Sequence, residues 1–225
     1  MTKTKDQRPE PAAVAAIVLA AGRSRRMGAF KPLLPFGPAT IIETCLENIR
    51  NGGVETIVVV LGQEPHAEEL KTQLQNAGII FAINPDPASE MSASIACGVR
   101  ALPERIQAVI INPADYAAVP GEVVSRLICE WQQGALLVKP VWNNRGGHPV
   151  LIDLEFRAQL LNLDPDGGLK RFFRKRPELV KRVSVNSNYI ARDMDTWDDY
   201  VALHMEVFGV AAPELPHKSV LSKRG

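Results

Sequence analysis

The chain has 225 residues, 46% of them hydrophobic, which is enough to bury the core of one large α/β domain or at most two small ones. Lys and Arg number 26 against 25 Asp and Glu, a formal net charge of +1 that excludes the global basic field of a nucleic-acid binder. Three separated cysteines, Cys45, Cys97 and Cys129, form no C-x-x-C pair, which argues against a zinc site or disulfide framework and fits a reduced cytoplasm.

Residues 1–12 are polar, carry two prolines and read as a disordered N-terminal tail without the apolar core of a signal peptide. No uninterrupted apolar stretch reaches the ~18 residues of a membrane span, so no membrane partner is expected. Strands are predicted at Ala13–Ala20, Thr56–Leu61, Ile79–Ile83, Ala108–Asn112, Ala135–Pro140, His148–Ile152 and Arg182–Val185. The first, second and fourth are near-continuous apolar runs, as central parallel strands are.

Helices fall between them. Thr40 and Glu43 make a capping box ahead of Ile41, Ile42, Cys45, Leu46 and Ile49, and Gly52-Gly53 ends that helix. Pro65 opens a second helix that Gly78 closes, and Ser92–Leu102 carries Ile95, Val99 and Leu102 on one face. Gly121–Gln133 buries Val124, Leu127, Ile128 and Trp131. Thr196 caps a last helix bearing Trp197, Tyr200, Val201 and Phe208. The alternation predicts an α/β fold, a Rossmann-like doubly wound and mainly parallel sheet, as one domain over 13–210 with a second disordered tail at 211–225.

In an open parallel sheet, ligands bind beyond the C-terminal strand ends. The first such end is Leu19-Ala20-Ala21-Gly22, small enough for a ligand to approach the backbone closely. The loop then offers Arg23, Ser24, Arg25, Arg26 and Lys31, a set that can hold several phosphates or simply face water. It is neither G-x-G-x-x-G nor G-x-x-x-x-G-K-[ST], because one glycine opens the turn and the lysine comes three residues after Gly28. Asp115, just past the fourth strand, is a carboxylate placed to hold Mg2+ or an ordinary turn aspartate. Ser92 is a helix cap, a ligand contact or both.

G-x-S-x-R-M-G-x-x-K after an apolar strand resembles the signature of nucleotidyltransferases that act on molybdopterin, and most of all the molybdenum cofactor cytidylyltransferase group. The resemblance runs over roughly residues 14 to 205. It includes "NPDPASEMSASIACG", where Glu90 stands in place of a glycine. It also includes "NPADYAAVP", where Tyr116 and Ala117 depart from the family's G-D-x-P form, then "GGHPVLI" and "ARDMDTWDDY".

The resemblance implies several roles. Lys31 and Arg26 would be catalytic, neutralising a triphosphate. Leu19, Ala20, Ala21, Gly22, Arg23, Ser24, Ser92, Ser94 and Gly98 would bind the nucleotide. Asp115 and Asp195 would hold Mg2+, with Asp193 as a rival, while Asp195 neighbours the cap Thr196. Gly147, His148 and Pro149 would face the acceptor, His148 as binding or structural rather than catalytic. The basic segment Leu163–Lys175 would meet an anionic acceptor or water.

In the resembling group, A-A-G before the loop favours CTP and L-A-G-G favours GTP. The implied reaction is transfer of CMP from CTP to the phosphate of molybdenum-molybdopterin, with a recipient molybdoenzyme as a further partner. A sugar or polyol phosphate acceptor, and a non-catalytic nucleotide-binding accessory of a molybdoenzyme, remain as alternatives.

Overall fold

Six consecutive small and β-branched residues make strand β1 (Val14–Leu19), and all six are buried. A strand with both faces covered has to sit mid-sheet between two helical layers. The computed structural model describes residues 13–22, 27–63, 66–75, 77–86 and 90–213. In it β1 pairs in parallel with β4 (Thr56–Leu61) on one side and β6 (Ala108–Pro113) on the other. β5 (Ile80–Ile83) extends the sheet beyond β4. Beyond β6 come β9 (Val150–Asp153), β7 (Leu137–Trp142) and β10 (Val180–Ser184).

The strand order is β10-β7-β9-β6-β1-β4-β5, and β9 runs antiparallel to both of its neighbours. A two-residue strand, β8 (Arg145–Gly146), folds back on β7. A small hairpin, β2 (Pro35–Phe36) with β3 (Ala39–Thr40), stands apart from the main sheet. The expected mainly parallel, doubly wound sheet is therefore present, with β9 and the short β8 reversed.

Two cores cover the two faces. Val14, Ala16 and Val18 point toward α1 (Ile41–Asn51), α4 (Gly121–Gln132) and α7 (Trp197–Phe208). Ala15, Ile17 and Leu19 point toward α3 (Met91–Ala101), α5 (Arg157–Leu161) and α6 (Gly168–Arg174). Burying a side chain such as Ile17 contributes roughly 1.5–3 kcal/mol.

Gly98 makes that packing possible, since a Cβ there would lie 2.6 Å from Ile17 Cγ2. The residue expected at the nucleotide is thus placed inside the helix–sheet contact.

The expected capping box forms at Thr40 with Glu43, and the expected cap Thr196 forms a second box with Asp199. α2 (His66–Gln73) is shorter than its pattern suggested. After Leu74 the amides of Gln75 and Ala77 turn back three residues, to Thr72 O and Leu74 O, so the chain tightens and α2 stops well before Gly78. Its expected opener, Pro65, lies outside the described residues. α3 begins at Met91 after Glu90, which makes no side-chain cap bond, so Ser92 lies inside the helix rather than at its cap.

Candidate active site

The C-terminal ends of β1 and β6 lie side by side, and the amide of Ala114 bonds Leu19 O at 3.0 Å one step past β6. This fixes Asp115 beside the Leu19–Gly22 turn. A tight turn over Lys31–Leu33 carries Lys31 to the same place, with Pro32 setting its first bend.

The third component arrives from the far end of the chain. Thr196 caps α7 with Asp199, the hydroxyl accepting from the Asp199 amide at 3.1 Å, so Asp195 is not needed as a cap. Asp195 Oδ1 instead accepts from Lys31 Nζ at 3.0 Å, and Asp115 Oδ2 lies 3.7 Å from the same ammonium. The Lys31 side chain is only 12% exposed, so this is no surface ion pair and water screens it weakly.

Burial raises the Asp115 pKa above its ordinary value. The Lys31 charge opposes that, and the nearby Asp193 and Asp195 add to it. Asp115 Oδ1 is buried with no hydrogen-bond partner among the described residues. Two carboxylates thus face one cation position, which the Lys31 ammonium fills. That donor set fits a divalent ion that takes one or two carboxylates and completes its shell with water or phosphate oxygens. Among the described residues, no group of three or more His, Cys, Asp or Glu could hold a metal by itself.

A cleft of about 230 Å3 opens on this cluster. Leu19, Ala20, Ala21, Gly22, Lys31, Ser94 and Asp115 line it. Ser94 is buried and its Oγ accepts from Asn84 Nδ2 at 2.9 Å, which fixes the hydroxyl in the wall. Ser92 is buried and does not line the cleft. Arg23, Ser24 and Arg26 lie outside the described residues.

Gly147, His148 and Pro149 sit at the entry to β9, beside the end of β6. A Cβ on Gly147 would lie 1.7 Å from Ile190 O, so only glycine admits this approach, and the His148 amide bonds that carbonyl at 2.8 Å. The His148 ring packs 5.0 Å from the Tyr116 ring. Tyr116 is where this chain departs from the resembling family, and here its ring links the Asp115 turn to the Gly147–Pro149 segment.

Burial pushes the His148 pKa down to about 4, against a backbone bond to Ile111 that raises it and the Lys139 charge that lowers it further. The ring is neutral near pH 7 and is no ready proton carrier. The unfolded chain protonates His148 near the ordinary imidazole value of 6.5 while the folded chain resists until about 4. Stability is therefore expected to fall as pH drops through that window, by on the order of 3 kcal/mol from this group. Urea unfolding from pH 4 to 8 would show the slope, and His148→Gln should flatten it.

Sequence reading missed how the Lys31 segment is held. One face of α7 grips its backbone: Trp197 Nε1 donates to Met27 O at 2.8 Å and Tyr200 Oη to Pro35 O at 2.6 Å. His204 Nε2 accepts from the Gly37 amide at 3.2 Å, while Nδ1 faces Val210 O at 3.0 Å. His204 matched no motif, yet it is buried within this grip. Its spacing from Trp197 and Tyr200 was the available signal. Met91, at the start of α3, is a further cleft residue that sequence reading passed over. Beneath the site, burial pushes the Cys45 thiol up to about 12, so it is no nucleophile, and its sulfur accepts from Asn112 Nδ2 at 3.2 Å.

Known proteins share this arrangement of sequence. The model of the MobA-like NTP transferase domain matches residues 16–182. The chain is 28% identical over 192 residues to nicotine blue oxidoreductase of Paenarthrobacter nicotinovorans, covering 81% of this chain and 92% of that protein. It is 26% identical over 190 residues to molybdenum cofactor cytidylyltransferase of Escherichia coli, covering 84% and 94%. A crystal structure of the Rv0371c homologue from Mycobacterium sp. strain JC1 superposes with a TM-score of 0.76 at 27% identity, over 87% of this chain and 97% of that one.

Proposed function

This chain belongs to the MobA-like NTP transferase domain family, and from that premise we propose that it transfers CMP from CTP to the phosphate of a molybdopterin-type acceptor carrying molybdenum. The products are the cytosine dinucleotide form and pyrophosphate. The observation that carries the reading is the nearly buried Lys31 ammonium between Asp115 and Asp195 in the cleft. The choice of CTP rests on the Ala20-Ala21-Gly22 turn and on similarity to the Escherichia coli enzyme.

Such a transfer asks little covalent chemistry of the protein. A phosphate oxygen of the acceptor is already anionic at neutral pH. It attacks the α-phosphorus, the bond from that phosphorus to the bridging oxygen breaks, and pyrophosphate carries away the electron pair. The chain must hold both anions in line and offset their charge. The Leu19–Gly22 turn admits the polyphosphate to the backbone, and Lys31 donates to its oxygens. Asp115 and Asp195 would hold Mg2+, which when bound supplies further positive charge at the phosphoryl oxygens.

The test is equilibrium binding of CTP, GTP and ATP with Mg2+, together with pyrophosphate release. Mg2+-dependent preference for CTP supports the proposal, and preference for GTP refutes the reading of the Ala20-Ala21-Gly22 turn. Similarity to nicotine blue oxidoreductase favours a second reading, redox chemistry on the same scaffold. Under that reading no pyrophosphate is released with any acceptor. Release with a polyol phosphate but not with the molybdopterin substrate would keep the transfer and change the acceptor.

A further inference from the structure

Lys139 of β7 and Arg182 of β10 are direct neighbours across the sheet, so both side chains leave the same face. Like charges in that relation are destabilising unless something offsets them. Lys139 is half-buried, and Lys170 of α6 adds a third positive charge close enough to act on it. Among the described residues, no carboxylate forms an ion pair with any of the three.

The surroundings make room for the Lys139 ammonium. A Cβ on Gly146 would lie 2.2 Å from Lys139 Cε and 2.8 Å from Nζ. The Arg182 guanidinium is fixed through Nη2, which donates to Asn144 O at 3.3 Å and to Asn144 Oδ1 at 3.1 Å. Those bonds leave the Nη1 and Nε faces of the fork for another acceptor. The cluster adjoins the Gly147–Pro149 segment, which the family resemblance assigns to the acceptor. Gly146 leads directly into Gly147-His148, and the Lys139 charge is felt at His148. His148 in turn touches Tyr116, next to Asp115.

We propose that Lys139, Arg182 and Lys170 form an oxyanion site that holds an anionic group of the acceptor. A planar fork flanked by two ammonium groups suits a phosphate-class oxyanion. The cluster stands on its own geometry, and its assignment to the acceptor rests on the nucleotidyltransferase reading.

Competitive acetylation of the full-length protein, read residue by residue by mass spectrometry, tests it. The probes are glycerol phosphate, inorganic phosphate and CTP with Mg2+. Lys71, paired with Glu68 on α2, is the internal reference. At about ten times its dissociation constant, glycerol phosphate is expected to slow Lys139 acetylation about tenfold and leave Lys71 unchanged. The protection should persist with CTP and Mg2+ present, and Lys139→Gln should remove the protection of Lys170.

Absence of protection by either phosphate probe overturns the site. Protection by CTP alone assigns the cluster to the nucleotide, and protection by inorganic phosphate but not by the monoester removes the acceptor assignment. Protection by glycerol phosphate in a protein that binds no nucleotide leaves the oxyanion site standing while the transferase reading fails.

Discussion

Lys31→Met is expected to slow nucleotidyl transfer about a hundred- to a thousandfold, the loss seen when one preorganised donor to a developing oxyanion is removed. The expectation follows from where the ammonium sits. It is nearly desolvated, held by two carboxylates, and carried on a turn that α7 grips at Met27, Pro35 and Gly37. A donor fixed this way needs little reorganisation when a phosphate arrives.

Methionine keeps the length and apolar character of the side chain, so the fold should survive. Lys31→Arg should not restore the rate, because a planar fork cannot occupy the point position between Asp115 and Asp195. A second consequence separates this account from a merely structural lysine. With the ammonium gone, Asp115 and Asp195 face each other without their shared cation, so the nucleotide-free variant should bind Mn2+ more tightly than the wild type does. Single-turnover kinetics and metal titration by calorimetry measure the two effects. A variant within about tenfold of wild-type turnover would remove Lys31 from the chemistry.

Much of this site was legible in sequence because its parts are local signals. A small-residue turn follows a fully apolar strand, an aspartate follows another, and the cap Thr196 announces where α7 begins just after Asp195. Each signal is short and chemically distinct. Their convergence was not local, since 164 positions separate Lys31 from Asp195. It could be expected only from a parallel sheet that gathers its strand ends on one side, and from the family resemblance.

Other features left no mark that one sequence could reveal. The apolar run of β9 gives no direction, so its antiparallel pairing with β6 and β7 was invisible. β8 and the β2–β3 hairpin are two-residue pairings, too short for any periodicity. The grip of α7 acts on backbone carbonyls and an amide, groups that every residue carries. Gly98, a nucleotide residue by the family resemblance and a helix residue read as lying close to the sheet, packs against Ile17.

The two aspartates should respond unequally to loss of charge. Asp115→Asn is expected to weaken Mg2+-dependent CTP binding by about a hundredfold or more, and Asp195→Asn by about tenfold. Asp115 is anchored at the end of β6 by its neighbours' backbone bonds, Ala114 to Leu19 O and Tyr116 to Pro113 O, and one of its oxygens is buried and unsatisfied. Asp195 is 44% exposed and stands beside Asp193, which can partly replace it.

The same burial predicts a stability change of opposite sign. The folded Asp115 pKa lies above the ordinary carboxylate value of 3.8, so the unfolded chain loses this proton first as pH rises. The folded state then carries an increasing penalty through the window above 3.8, and the penalty is absent at lower pH. Asp115→Asn removes it, so the variant should be more stable than the wild type near pH 7, with the difference vanishing in acid. Calorimetric melting at neutral and low pH, alongside CTP titration with and without Mg2+, measures both effects. A gain in stability together with loss of binding marks a carboxylate kept for its ligand at the expense of the fold. Loss of both would make Asp115 a structural partner of Lys31, and unchanged binding would shift the cation to Asp195 and Asp193.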